Sequence, residues 1–261
     1  MTQVRFAASD QVLRITLDGP DSLNSITPEV VSGLHGALDY AETDTSLRAI
    51  VIRGVGKAFS VGMDIDFLGE CFADPQGLFA RFTADYHELL DRLEAFPVPS
   101  IAAVNGLARA GGFELLLACD FVVAADEARV GDIHLDFGMV PGAGASIRAY
   151  RKVGDQRARL LMLTPTWLSG EQMVGWGLAV AHAPGAELDA AVADFTDLLK
   201  GRSRPAIAAV KGLLNVAGDL TKSEGLEREH EVFRRYVLEV PDMAEGYKAF
   251  VEKREAHWGD V

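Results

Sequence analysis

Apolar and polar residues alternate along VLRITL, Val12 to Leu17, as they do in a strand with one buried face, and Gly19 and Pro20 then break the pattern. Thr27, Pro28 and Glu29 open a helix, because a capping hydroxyl followed by proline satisfies or removes N–H groups that the first turn cannot pair. Apolar spacing carries that helix to about Tyr40, and AIVIR, Ala49 to Arg53, is a second strand. The glycine-containing loop GVGKAFSVGMDIDFL then leads towards a helix that reaches about Leu93, before the turn FPVPS. Beyond it, SIAAV (Ser100 to Val104) reads as a buried strand, NGLARAGG as a turn, FELLLAC as a short apolar helix and DFVVAA as another strand. Strands alternating with helices predict an α/β architecture.

From Gly142 onward the periodicity becomes helical, at about 144 to 153, 155 to 163, 169 to 176 and 186 to 200. The tail beyond Arg204 reads as all helix, and Pro241 splits it into two amphipathic segments, TKSEGLEREHEVFRRYVLEV and DMAEGYKAFVEKREAHW. The charged runs EREHE and EKRE are expected to be solvated helix faces. The chain carries no evident repeat, low-complexity tract or linker, and the expected division is a core over residues 1–200 with a helical region over 201–261.

Composition narrows the partners. With 261 residues, 49% hydrophobic and 24% charged, the chain has material for a substantial core. A formal charge of −13 opposes nucleic acid or an anionic membrane as a general partner, while leaving room for a local basic pocket around one anionic ligand. The two cysteines, Cys71 and Cys119, lack neighbours at metal-ligand spacing, so neither a zinc finger nor a disulfide framework is expected. The N-terminal segment lacks the apolar run of a signal peptide and no stretch is long enough to span a bilayer, so a cytoplasmic protein is expected.

Several chemistries lack their motifs. GVGKAF is neither a dinucleotide-binding glycine fingerprint nor a P-loop, His230 and Glu231 lack the second histidine of a zinc-protease helix, and neither Ser60 nor Ser146 sits in a nucleophile elbow. Two glycine-flanked turns and a few ionisable residues remain.

Those turns carry a resemblance. KAFSVGMDI (Lys57 to Ile65) resembles the crotonase loop KAFxAGxDI, and IAAVNGLARAGGFELLLACD (Ile101 to Asp120) resembles that family's IAAVNGxAxGGGxELALxCD. GDIHLDFGMVPGAGA is similar in spacing to FGxPExxLGxxPGxGG, and GYKAFVEKR (Gly246 to Arg254) to EGxxAFxEKR. By these motifs the chain is identified as a member of the crotonase (enoyl-CoA hydratase/isomerase) superfamily. The resemblance implies an α/β spiral of ββα units with a C-terminal helical trimerisation region. It also implies an acyl-CoA thioester as substrate, no cofactor or metal beyond the CoA carrier itself, a place in fatty acid metabolism, and a homotrimer or dimer of trimers.

In the family, two backbone N–H groups stabilise the negative charge that develops on the thioester oxygen, and such donors are each worth about 3 to 4 kcal/mol. Carried over, they are those of Met63 and Gly111, with Asp64 and Ile65 on the same carrier-binding loop. Gly111 and Gly112 also precede an apolar helix, so the positive helix end would face the oxygen and the missing side chains would admit a ligand close to the backbone. Glu114 falls on the first family carboxylate, a general base or water-orienting group. Phe250 and Lys253 match the C-terminal pair that meets the adenine end, often from a neighbouring subunit.

The chain also departs from the pattern. The second family glutamate aligns with His134, which titrates near neutrality and is itself a candidate acid or base. Were the segment extended, Asp132, His134 and Asp136 would share a face, and a carboxylate would orient the imidazole. Asp21 and Asp66 stand near places where the family often has basic residues for the CoA phosphates, and Arg109, where a small or apolar residue is usual, is a candidate for a phosphate or a substrate carboxylate. Three activities stay open: a lyase or isomerase acting on an acyl-CoA through an enolate, a CoA-independent carbon-carbon hydrolase of a β-diketone, and a non-catalytic acyl-CoA binding protein. The acyl-pocket residues are expected in the variable stretch from Phe67 to Arg92.

Overall fold

The computed structural model describes residues 1–259. Strands β1 (Gln3–Ser9) and β2 (Val12–Asp18) form an antiparallel hairpin, and helix α1 (Pro28–Thr43) follows, with Pro28 in its first turn. The chain then winds as a spiral. Strand β3 (Ala49–Gly54) joins one sheet and β4 (Ala58–Ser60) a second, and helices α2 (Ile65–Ala73) and α3 (Ala80–Ala95) return it. The next turn repeats the plan with β5 (Ser100–Val104), β6 (Leu107–Arg109) and α4 (Gly111–Ala118), and the one after begins with β7 (Phe121–Ala125) and β8 (Arg129–Gly131). Helices α5 (Ala145–Val153), α6 (Asp155–Leu163) and α7 (Gly170–Trp176), strand β9 (Ala181–Ala183) and helix α8 (Leu188–Asp197) complete the spiral. Helices α9 (Arg204–Val216), α10 (Lys222–Glu239) and α11 (Asp242–Glu252) form the tail.

The result is a six-stranded sheet, in the order β1-β2-β3-β5-β7-β9, and a three-stranded sheet, in the order β4-β6-β8. Apart from the β1–β2 hairpin, every neighbouring pair is parallel. Parallel strands covered on both faces read as continuous apolar runs, which is why SIAAV is buried at every position. From Gly112 to Ala118 helix α4 is likewise buried throughout, so FELLLAC shows no amphipathic period.

Two expectations change. The single helix expected up to Leu93 is two helices, because Asp74 caps a wide turn over Pro75–Phe79, accepting from the N–H groups of Gly77 and Leu78 at 3.0 and 2.9 Å, and Pro75 has no N–H to continue α2. The segment around His134 is not extended: β8 ends at Gly131, and His134–Phe137 form a 3-10 turn closed by Gly138 at φ 64°. Asp136 therefore points to solvent, away from Asp132 and His134, which are buried.

The tail is tied to the spiral by a buried charge. Lys211 on α9 donates to Asp120 at 2.6 Å and to the Val98 carbonyl at 3.3 Å, and Asp120 also accepts from the backbone and hydroxyl of Ser100 at 2.7 and 2.9 Å. Removing one partner of such a pair strands the other, so Asp120→Ala is expected to cost about 3 kcal/mol of unfolding free energy. Urea denaturation reads this directly, and an unchanged midpoint would show that the pair contributes nothing net.

Candidate active site

The second sheet brings the two glycine turns together. Gly62, at φ 86°, lies so close to the next spiral turn that a β-carbon there would stand 2.7 Å from the Gly111 nitrogen, and one on Gly112 would meet the Ser60 carbonyl oxygen at 2.1 Å. Only glycine allows this approach. Around it, the flanking backbone groups are spent: the Ile26 N–H donates to the Gly62 carbonyl at 2.8 Å and the Asp64 N–H to the Ile26 carbonyl at 3.0 Å. Among the described residues, the N–H groups of Met63 and Gly111 donate to no other group of the chain, and both residues line one cavity. Gly111 opens α4, whose first N–H groups have no intrahelical partner and carry the positive end of the helix dipole.

Tyr86 fixes the second donor. Its hydroxyl donates to the Gly111 carbonyl at 2.6 Å, and its burial holds the phenol well above its usual titration range. Ala110, immediately before, has φ 47° and ψ −124°, a region that glycine enters freely and alanine does not. Glycine there would relieve a strain of about 1 to 3 kcal/mol while restoring some unfolded-state freedom, so Ala110→Gly is expected to stabilise the protein by about 1 kcal/mol. Chemical denaturation checks this, and a destabilised variant would show that the strain is not there.

Glu114 comes from the first turn of α4 and is 4% exposed. One of its oxygens accepts from the Ala143 N–H at 2.7 Å; the other faces His134 Nε2 at 3.9 Å, beyond hydrogen-bond reach but within strong charge coupling. Burial raises the Glu114 pKa, against the pull of His134 and of the Ala143 and Ala145 N–H groups. For His134, burial alone works against the charged ring, but the hydrogen bond and charge of Asp132, with Glu114 behind, outweigh it and the pKa rises. The Asp132 carboxylate meets His134 Nδ1. A carboxylate only accepts, so Nδ1 carries a proton and Nε2 is the atom turned to Glu114 and the cavity. Two buried groups this close, both shifted upward, each feel the other's charge as they titrate.

Arg148 on α5 braces the turn that holds Glu114. It donates to the Ala143 carbonyl at 2.7 Å and to Asp91 and Glu94 on α3 at 2.6 and 3.0 Å. Neither Tyr86 nor Arg148 announces itself in the sequence; each is one polar residue in an amphipathic helix.

The remaining candidates divide. Ile65 and Arg109 line the cavity, whose walls are otherwise largely apolar, with Ile26, Leu68, Phe82 and Val140 among them. The Asp64 carboxylate is committed to the structure, capping α2 through the N–H groups of Asp66 and Phe67 and accepting from Ser25 at 2.9 Å. Asp21 is exposed in the short 3-10 turn Pro20–Ser22, and Asp66 is exposed in the first turn of α2. Phe250, 84% exposed, and Lys253, just past the end of α11, are not among the residues lining this chain's own cavity. Among the described residues no group of three or more histidine, cysteine or acidic side chains is placed to hold a metal ion, and no helix is long and apolar enough to cross a membrane.

The chain is similar to known proteins over nearly its whole length. The chain is 34% identical over 241 residues to probable enoyl-CoA hydratase echA8 of Mycobacterium tuberculosis, covering 92% of this chain and 91% of that protein. It is 31% identical over 254 residues to 2,3-dehydroadipyl-CoA hydratase of Escherichia coli, covering 97% of each. The crystal structures of enoyl-CoA hydratases from Bacillus anthracis and Polaromonas sp. JS666 superpose with TM-scores of 0.92 at 26% and 29% identity; they match 99% and 98% of this chain and 100% of each of those. The model of the enoyl-CoA hydratase/isomerase family matches residues 7–261, and the chain belongs to that family, within the crotonase superfamily.

Proposed function

We propose that the chain adds water to a 2-enoyl-CoA thioester, or moves its double bond, through an enolate held by the N–H groups of Met63 and Gly111. The observation that carries this reading is the meeting, in one apolar cavity, of two unspent backbone donors with the coupled pair Glu114 and His134. In hydration, Glu114 as carboxylate takes a proton from water as its oxygen bonds to the β-carbon. The electron pair of the double bond passes to the thioester oxygen, where the two donors meet it. The protonated His134 then delivers a proton from Nε2 to the α-carbon, the step that the second family glutamate would perform. Asp132 holds the ring for that step and stabilises its charge. In double-bond migration the same pair moves a proton between carbons and no water is consumed.

Incubating the protein in heavy water with short 2-enoyl-CoA thioesters and following the mass tests this. Gain of water with deuterium at the α-carbon is the expected result for hydration, and deuterium alone is expected for isomerisation. No change in mass across the panel would overturn both. A second reading, hydrolysis of a cyclic β-diketone without CoA, uses the same donors and is favoured by the Asp132–His134 pair in place of a glutamate. Cleavage of a diketone by a protein that ignores CoA would select it.

The tail supports assembly as a homotrimer or a dimer of trimers. Leu214, Leu226, Phe233 and Leu238 are each more than half exposed on α9 and α10, an apolar surface that a neighbouring copy would cover. In such an assembly Phe250 and Lys253 would serve a neighbour's CoA. Light scattering of the purified protein distinguishes this from a monomer.

A further inference from the structure

Arg109 is the last residue of β6 and stands two positions before Gly111, so their α-carbons are at most about 7 Å apart. Its side chain lines the cavity that holds Met63, Glu114 and His134. The residue is half-buried, its Nε is fully buried without a hydrogen-bond partner, and its guanidinium forms no ion pair with any described residue. Two other inward arginines are paired, whereas Arg204, which opens α9, shares a buried and unpartnered Nε but does not line this cavity. Arg92 pairs with Asp39 and Glu42, and Arg148 with Asp91 and Glu94. Glu114, the buried carboxylate of the same cavity, is already committed to the Ala143 N–H and to His134. Only Nε is buried, so the terminal nitrogens of the half-buried side chain remain open to a ligand in the cavity, and a planar carboxylate matches that fork of donors.

We propose that Arg109 binds a carboxylate borne by the acyl portion of the substrate, so that the cavity selects thioesters ending in an acid over those ending in a methyl group. This rests on reading the cavity as an acyl-thioester site. The phosphates of CoA are the other anions on such a substrate, but the pantetheine arm holds them many bonds from the thioester carbonyl. Arg109 is two residues from the donor that holds that carbonyl, so the anion within its reach is on the acyl side.

The test is calorimetric binding of adipoyl-CoA and hexanoyl-CoA, saturated thioesters of equal chain length and identical carrier, to the wild type and to Arg109→Leu. The wild type is expected to bind adipoyl-CoA about 10- to 100-fold more tightly, the usual worth of a charged hydrogen-bonded pair, and Arg109→Leu to lose that difference, with Arg109→Lys between them. Equal affinities in the wild type, preference for hexanoyl-CoA, or failure of both to bind overturns the assignment. So does an equal loss for both thioesters in Arg109→Leu, which would mark a phosphate contact or a collapsed pocket. Turnover of the matching 2-enoyl thioesters is read separately: a binding preference without turnover would sink the hydratase reading and leave Arg109 where it is placed.

Discussion

Glu114→Gln is expected to lower kcat by about 100-fold or more while leaving the fold intact. Glutamine has the same shape and keeps an oxygen to accept from the Ala143 N–H, which now bonds Glu114 at 2.7 Å, so the turn braced by Arg148 has no reason to move. It cannot take a proton. Burial already disfavours the Glu114 carboxylate, so the neutral amide is not penalised at this site and thermal stability should hold or rise. Substrate affinity should change little, because the donors on Met63 and Gly111 are untouched. Stopped-flow or steady-state turnover on a 2-enoyl-CoA measures the effect. Unchanged turnover would remove Glu114 from the chemistry and turn attention to His134 acting alone.

How far the sequence anticipates the molecule depends on where each signal is stored. Helices α5 to α8 and strands β2, β3, β5 and β7 were legible because their own apolar spacing defines them. Strands β6, β8 and β9 have three residues each and exist through their partners; β6 lies inside the segment read as a turn. The hairpin strand β1 was missed because its residues are mostly exposed and the alternation of Gln3, Val4, Arg5 and Phe6 gives way at once to two alanines. Met63, Gly111 and Glu114 were named from the resemblance of their motifs, and the structure brings the glycines of those motifs together beside one cavity. Tyr86 and Arg148 were not, since each depends on a partner far away in the chain: Tyr86 bonds Gly111, 25 residues on, and Arg148 braces its own nearby turn at Ala143 only because α3, 54 or more residues back, anchors it. Asp132 was named as the partner of His134 on the assumption of an extended segment. The two do meet, but across the start of a 3-10 turn, which is why Asp136 does not join them.

The pairing of Asp132 with His134 sets the second large effect. The activity of the wild type is expected to fall on the acid side as Glu114 gains a proton and on the alkaline side as His134 loses one. Both pKa values are raised, so the acid limb should stand above the ordinary carboxylate value of 4.5 and the alkaline limb above the ordinary imidazole value of 6.5. In Asp132→Asn the hydrogen bond and charge that raise His134 disappear, whereas the burial that lowers it remains. The imidazolium then loses its proton at lower pH, so the alkaline limb must move acidward. An amide can also donate to Nδ1, which would leave the ring in the tautomer with its proton on Nε2 and without the charge that the mechanism uses. Turnover at neutral pH should fall about 100-fold, with the deficit shrinking towards acid as the ring regains its proton. Full pH profiles of kcat/KM for the two proteins decide the matter. An alkaline limb that stays where it is would mean that a group other than His134 supplies the proton, and a loss equal at every pH would mean that Asp132 positions the ring without setting its charge.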